Sequence, residues 1–277
     1  MARTGIGARL MAALRGGDRL KAAELRVAEL EWELSKQRPF EDPPSYSGDM
    51  MATWYKSVDF LKDPRFMAAY QRGMDSGHIL GRPEGSRMDI HIEWRIHTCC
   101  WAGAHALNLE GDFVECGVNT GIMSLAVCDY VDFNSTGRSF WLFDTFQGIP
   151  MEQLTDEERA EGKENAPGRY FDCYELAKAN FAPFPKARLV QGRVPETLSQ
   201  VEIEKVAYLS IDMNIVEPER AALMHFWPRL VPGAVVVLDD YGWLQYGLQK
   251  KAHDEFARSQ GTEIMLLPTG QGLMVKP

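Results

Sequence analysis

The sequence predicts an α/β protein with a Rossmann-like, seven-stranded and mostly parallel sheet, preceded by a helical N-terminal extension. Beyond Gly111, short β-branched or aromatic runs alternate with helical runs, the pattern of successive βα units. The last two of those runs are separated only by residues 268–271. That is too short for a crossover helix, so they must pair as an antiparallel hairpin. A chain of 277 residues, 45% hydrophobic and 25% charged, is long enough for one such core with a small appendage.

Residues 1–40 read as helix. Leu20, Ala23, Val27, Leu30 and Leu34 recur at steps of three and four and so line one stripe. Such a stripe packs either on the protein's own body or against a second copy, which makes a homo-oligomer through this helix one expectation. Pro39, Pro43 and Pro44 lack the amide donor a helix needs, so 38–47 reads as a linker and 1–48 as an N-terminal helix with its linker. Residues 49–110 read as a helical cap broken by turn-rich residues 73–85. Within the sheet domain, 111–277, strands are expected at 112–118, 139–146, 187–191, 206–212, 234–239, 263–267 and 272–276.

Composition narrows the function. No window approaches the roughly 18 apolar residues of a membrane span, and the arginine-bearing N-terminus lacks the compact apolar core of a signal peptide, so a cytoplasmic protein without a transmembrane segment is expected. Five cysteines without paired metal-ligand spacing read as reduced, buried thiols. A net charge of −9 opposes nucleic acid as a partner and favours a small-molecule substrate.

Three constellations carry chemistry. In GDFVECGVNTG, Gly117 and Gly121 lie at a strand-to-helix turn where missing side chains let backbone amides approach an anionic group. Glu115, on a strand otherwise apolar on both faces, needs a reason such as anchoring a ligand's ammonium. Asp144 ends the second strand (SFWLFDTFQGIP), where a carboxylate can accept both ribose hydroxyls of an adenosine. Asp212, near the end of the fourth strand, and Asp239 with Asp240, ending the fifth, should meet in one crevice. Three carboxylates there would repel one another unless a divalent cation intervened, and oxygen-only donors favour magnesium or calcium.

Read in order, GDFVECGV, FDTFQGIP, QGRVPETL, IDMNIVEPE and VVVLDDY resemble the macrocin O-methyltransferase family over about residues 90 to 277. Five βα-connected strands ending in a hairpin are likewise the topology of class I methyltransferases. The resemblance implies an S-adenosylmethionine-dependent, magnesium-dependent enzyme methylating a hydroxyl of a sugar or glycosylated metabolite. By position it implies that Glu115 and Gly117 serve the methionine end, Asp144 the ribose, and Gly192, Arg193 and Val194 the adenine. Asp212, Asp239 and Asp240 then match the metal ligands.

One departure matters. Where family members read Asp-Gly-Asp, this chain has Asp212, Met213 and Asn214, which leaves Asp212 as the candidate base. The charged stretch 151–172, with Gly162 and Gly168, is expected to form a lid. His91, His97 and His105 read as ordinary surface or core residues within reach of the site's mouth, and Trp141, Trp227 and Trp243 as core or a sugar-stacking surface. Two other classes stay open at this point. One is a cofactor-binding partner subunit without transferase activity. The other is a nicotinamide oxidoreductase, which would need a glycine fingerprint closer to Gly-x-Gly-x-x-Gly.

Overall fold

The computed structural model describes residues 4–37, 42–83, 86–165 and 170–277; Pro39, Gly85 and Gly168, to which the linker, turn and lid expectations refer, lie outside them. The chain divides after Ser45. In the first unit, α1 (Thr4–Gln37) is one continuous helix whose described side chains are all exposed.

The second unit opens with a small hairpin, β1 (Tyr46–Gly48) and β2 (Met51–Thr53), where linker and helix were expected. Asp49 and Met50 take left-handed φ values of 50° and 57°, the two-residue turn that matches strand twist, without the Asn-Gly signal that usually announces it. Two helices follow, α2 (Pro64–Met74) and α3 (Glu93–Ala106). Asp63 caps α2 by accepting from the Arg65 amide, and Pro64 sits at its first turn, where no amide donor is missed.

The seven expected strands then appear, with ends trimmed or extended by a few residues. β3 (Asp112–Cys116), α4 (Ile122–Tyr130), β4 (Phe140–Asp144), α5 (Asp156–Ala160), α6 (Tyr174–Phe181), β5 (Ala187–Gln191), β6 (Val206–Ile211), α7 (Val216–Phe226), β7 (Leu230–Leu238), α8 (Gly247–Ser259), β8 (Met265–Leu266) and β9 (Gly272–Val275) complete the chain. The strand order is β5-β4-β3-β6-β7-β9-β8. β5, β4, β3, β6 and β7 run parallel to one another; β9 runs antiparallel to β7 and also to β8, the latter as the short 268–271 connection requires.

Strand side chains alternate between two cores. Phe113, Phe140 and Tyr208 face one layer with α2, α3 and α4, while Val114, Phe143 and Leu209 face the other with α7 and α8. Each large side chain fully buried in this way contributes roughly 1.5–3 kcal/mol. All five cysteines are buried thiols. No helix among the described residues is long and apolar enough to cross a membrane.

The parallel strands carry their carboxyl ends to one edge of the sheet. β3 ends at the turn before α4, β4 at Asp144, β6 just before Asp212 and β7 just before Asp239. The site lies there, as expected of an open α/β sheet.

Candidate functional site

A cavity at this edge is lined by Glu115, Gly117, Val118, Asn119, Asp144, Tyr170, Gly192, Val194, Asp212 and Asn214, together with His78 and Gln153. Gly117 is glycine for two reasons: its φ is +91°, and a Cβ would lie 1.8 Å from the Asp212 carbonyl oxygen, so β3 and β6 can close together only without a side chain. Glu115 lies on the α3/α4 side of β3 and is 2% exposed. Its Oε2 has no hydrogen-bond partner, and burial pushes its carboxyl well above the usual range.

Asp144 organises the turn beside it. One oxygen accepts the amides of Val118 at 2.5 Å and Asn119 at 2.7 Å, and the other accepts the amide of Phe146 at 2.6 Å. The Thr145 hydroxyl approaches that second oxygen at 3.4 Å, so the carboxylate's roughly four lone-pair positions all face donors from the chain. The loop amides expected to meet an anionic ligand are turned toward this carboxylate instead. Gly121 is likewise a packing residue: it precedes α4 with φ +97°, a Cβ there would meet the Phe181 ring at 2.6 Å, and it does not line the cavity.

Gly192 and Val194 line the cavity, and Arg193 lines an adjoining hollow that shares Gly192 with it, its guanidinium 2.5 Å from Glu152 and about half exposed. From the lid stretch, Gln153 and Tyr170 reach the cavity, and the Gln153 amide donates to the Val194 carbonyl at 2.7 Å. Helix α5 in this stretch is capped by Thr155 and Glu158, and the Glu158 carboxylate also accepts the Val216 amide at 3.0 Å.

The acidic cluster is built around a cation that the sequence reading missed. Arg95, on α3, forms a buried ion pair with Asp239, lies 3.5 Å from Asp240 and 3.9 Å from Asp49. Gln271 donates to Asp239 at 2.9 Å, so both Asp239 oxygens are engaged. Asp212 is pushed well above the usual carboxylate range by burial and then by the charges of Asp239 and Asp240. Asp240 is raised to about 7, first by burial and then by Asp239. Asn214 donates to Asp212 at 3.0 Å, and Glu219 accepts the amides of both Met213 and Asn214, fixing the turn that carries Asp212.

Of the histidines singled out, none lines the cavity. His97 stacks on Phe60, His105 bonds the Gly233 carbonyl, and His91 pairs with Glu93. His78, not singled out, does line it; its buried Nδ1 has no partner, and burial lowers its pKa to about 4, which keeps the ring neutral. Trp141, Trp227 and Trp243 do not line the cavity, and Trp227 is buried in the core.

Comparison with known proteins agrees with this fold. The model of the family described as Macrocin-O-methyltransferase (TylF) matches residues 95–266, more than half of the chain. The chain is 26% identical over 155 residues to mycinamicin III 3″-O-methyltransferase of Micromonospora griseorubida, a match covering 51% of this chain and 59% of that protein. It is 29% identical over 188 residues to 8-demethyl-8-(2,3-dimethoxy-alpha-L-rhamnosyl)-tetracenomycin-C 4′-O-methyltransferase of Streptomyces olivaceus, covering 65% and 67%. Among solved structures it is similar in fold to the O-methyltransferase NovP, with a TM-score of 0.60 and 22% identity over 70% of this chain and 84% of that one. With the matched region spanning α3 to β8, this chain belongs to the macrocin O-methyltransferase family.

Proposed function

We propose that the chain is an S-adenosylmethionine-dependent O-methyltransferase whose acceptor is a hydroxyl of a sugar or glycosylated small molecule. The observation that carries this reading is the unpartnered carboxylate oxygen of Glu115, buried at a cavity whose neighbouring wall is the glycine turn at Gly117. An ammonium restores the charge of such a carboxyl, and the amino-acid end of S-adenosylmethionine carries one. Gly192 and Val194 suit the adenine, and Asp144, lining the cavity at the end of β4, suits the ribose. Arg193 lines an adjoining hollow that shares Gly192 with the cavity, and Gly121 packs beside Phe181. Family membership and a relative whose name specifies a rhamnosyl substrate support an oxygen acceptor on a sugar.

Bound S-adenosylmethionine supplies a sulfonium methyl group open to in-line attack by a hydroxyl oxygen. Asp212, which lines the cavity, takes the acceptor's proton. Asn214, an amide, cannot take up a proton and instead orients Asp212 by donating to it. The turn held by Glu219 fixes where that carboxylate stands.

Magnesium is the second cofactor we propose. It is commonly held by one or two carboxylates, with water and substrate oxygens completing its shell. Asp212 and Asp240 fit that donor set; Asp239 does not, because Arg95 and Gln271 occupy its oxygens. A cation held there would make an acceptor hydroxyl more acidic.

The test is calorimetric titration of the purified chain with S-adenosylmethionine and with NADH, followed by transfer of labelled methyl to sugar-bearing acceptors with magnesium or with chelator. Binding of S-adenosylmethionine and magnesium-stimulated transfer are expected. Binding of NADH alone overturns the reading, and full transfer in chelator removes magnesium from it. Asn214 favours a second reading, a cofactor-binding partner subunit, which binding without transfer to any glycan acceptor would support.

A further inference from the structure

We infer that α1 is a self-association element, forming a parallel, in-register, two-stranded coiled coil with a second copy of this chain. This inference is independent of the proposed activity. Leu20, Ala23, Val27, Leu30 and Leu34 fall on the a and d positions of a heptad, with Leu20, Val27 and Leu34 at a. The four larger ones are 61%, 54%, 46% and 53% exposed, an apolar stripe along α1. Leu25 and Trp32, seven apart, lie on the far side of the helix from that stripe.

The flanking charges choose the occupant and its direction. Arg19, Arg26 and Glu33 hold the g positions, and Glu24 and Glu31 the e positions, all exposed; within the described helix the g-to-e contacts involve Arg19, Arg26, Glu24 and Glu31. In a parallel pair each g residue faces the e residue five positions on in the other strand, so Arg19 meets the partner's Glu24 and Arg26 meets the partner's Glu31. Symmetry repeats both contacts, giving four opposite-charge pairs and no like-charge pair among these residues. In an antiparallel pair the e positions face each other, which sets Glu24 against the partner's Glu31. The pairs that Arg26 makes within its own helix, with Glu29 at 3.1 Å and Glu33 at 3.8 Å, are exposed and weak, and so do not compete strongly. The seam spans about two heptads, so the dimer is reversible and concentration-dependent rather than permanent.

Sedimentation of the full chain over about 1–100 μM tests this by mass action. The mass is expected to rise from 31.3 kDa toward twice that value. Glu24→Arg with Glu31→Arg, or Arg19→Glu with Arg26→Glu, should each weaken association at least tenfold, and mixing the two variants should restore it. These positions are exposed on α1, so the fold of the second unit serves as the control. Val27→Cys should cross-link to its own counterpart on mild oxidation, the five native thiols being buried. A monomer at every concentration, a mass curve indifferent to both charge variants, or failure of Val27→Cys to cross-link would each overturn the inference.

Discussion

Arg95 and Asp239 form a buried ion pair that ties α3 to the carboxyl end of β7, 144 residues later in the chain. The pair supplies the positive charge among four carboxylates, and its removal is the first prediction. Arg95→Met should leave Asp239 buried without a counter-charge, held only by the Gln271 amide, and destabilise the protein by about 3–5 kcal/mol. Urea unfolding checks this. Adding Asp239→Asn should recover part of the loss, because the uncompensated charge goes with it; a double variant as unstable as the sum of the singles would refute the coupling.

Glu115 gives a prediction of opposite character. Its carboxyl is buried with an unpartnered oxygen, so Glu115→Gln removes a costly charge site without changing shape. The melting temperature should hold or rise. Affinity for S-adenosylmethionine should fall at least tenfold, or about 1.4 kcal/mol, since the amide cannot neutralise the ligand's ammonium. Calorimetry reads both quantities, and unchanged affinity would detach Glu115 from the cofactor.

These two residues also show what was legible in the sequence. Glu115 could be found from pattern alone, because a carboxylate interrupts an apolar strand, and the seven strands were visible in their β-branched and aromatic runs. Arg95 could not, because its meaning depends on a partner brought near only by the folded sheet. His78 sits in an irregular stretch with no periodicity to mark the direction of its ring. The β1–β2 hairpin was missed because Asp49 and Met50 take left-handed conformations without glycine. Gly121 marks another limit: a glycine at a helix start serves ligand approach and side-chain packing alike, and the neighbour a Cβ would meet there, Phe181, comes from a distant segment.

Asp240 makes stability depend on pH. Its folded pKa of about 7 lies above the ordinary value of 3.8, so between these values the folded chain binds a proton that the unfolded chain has released. Its contribution is fully present below pH 3.8 and is lost as pH rises through 7. Melting temperature measured from pH 4 to 9 without divalent cation should carry this downward contribution, and Asp240→Asn should flatten it. Magnesium should raise the melting temperature most above pH 7, where the carboxylate is ionised; an equal effect in Asp240→Asn would place the cation elsewhere.

Glu219 separates positioning from binding. It is 3% exposed, accepts the amides of Met213 at 3.0 Å and Asn214 at 2.8 Å, and receives the Gln249 amide at 3.3 Å. Gln249 in turn accepts from Lys163 at 2.6 Å, so the lid stretch and the Asp212 turn converge on one polar cluster. Glu219→Ala strands two backbone amides, at a cost of about 1–3 kcal/mol, and frees Asn214 from its left-handed φ of 65°. Because Glu219 does not line the cavity, KM for S-adenosylmethionine should change less than about twofold while kcat falls about tenfold, as Asp212 loses its fixed place. Glu219→Gln keeps an acceptor oxygen for both amides and should recover most of the rate. If Glu219→Ala raises KM and leaves kcat intact, the residue supports the cofactor pocket instead of the base.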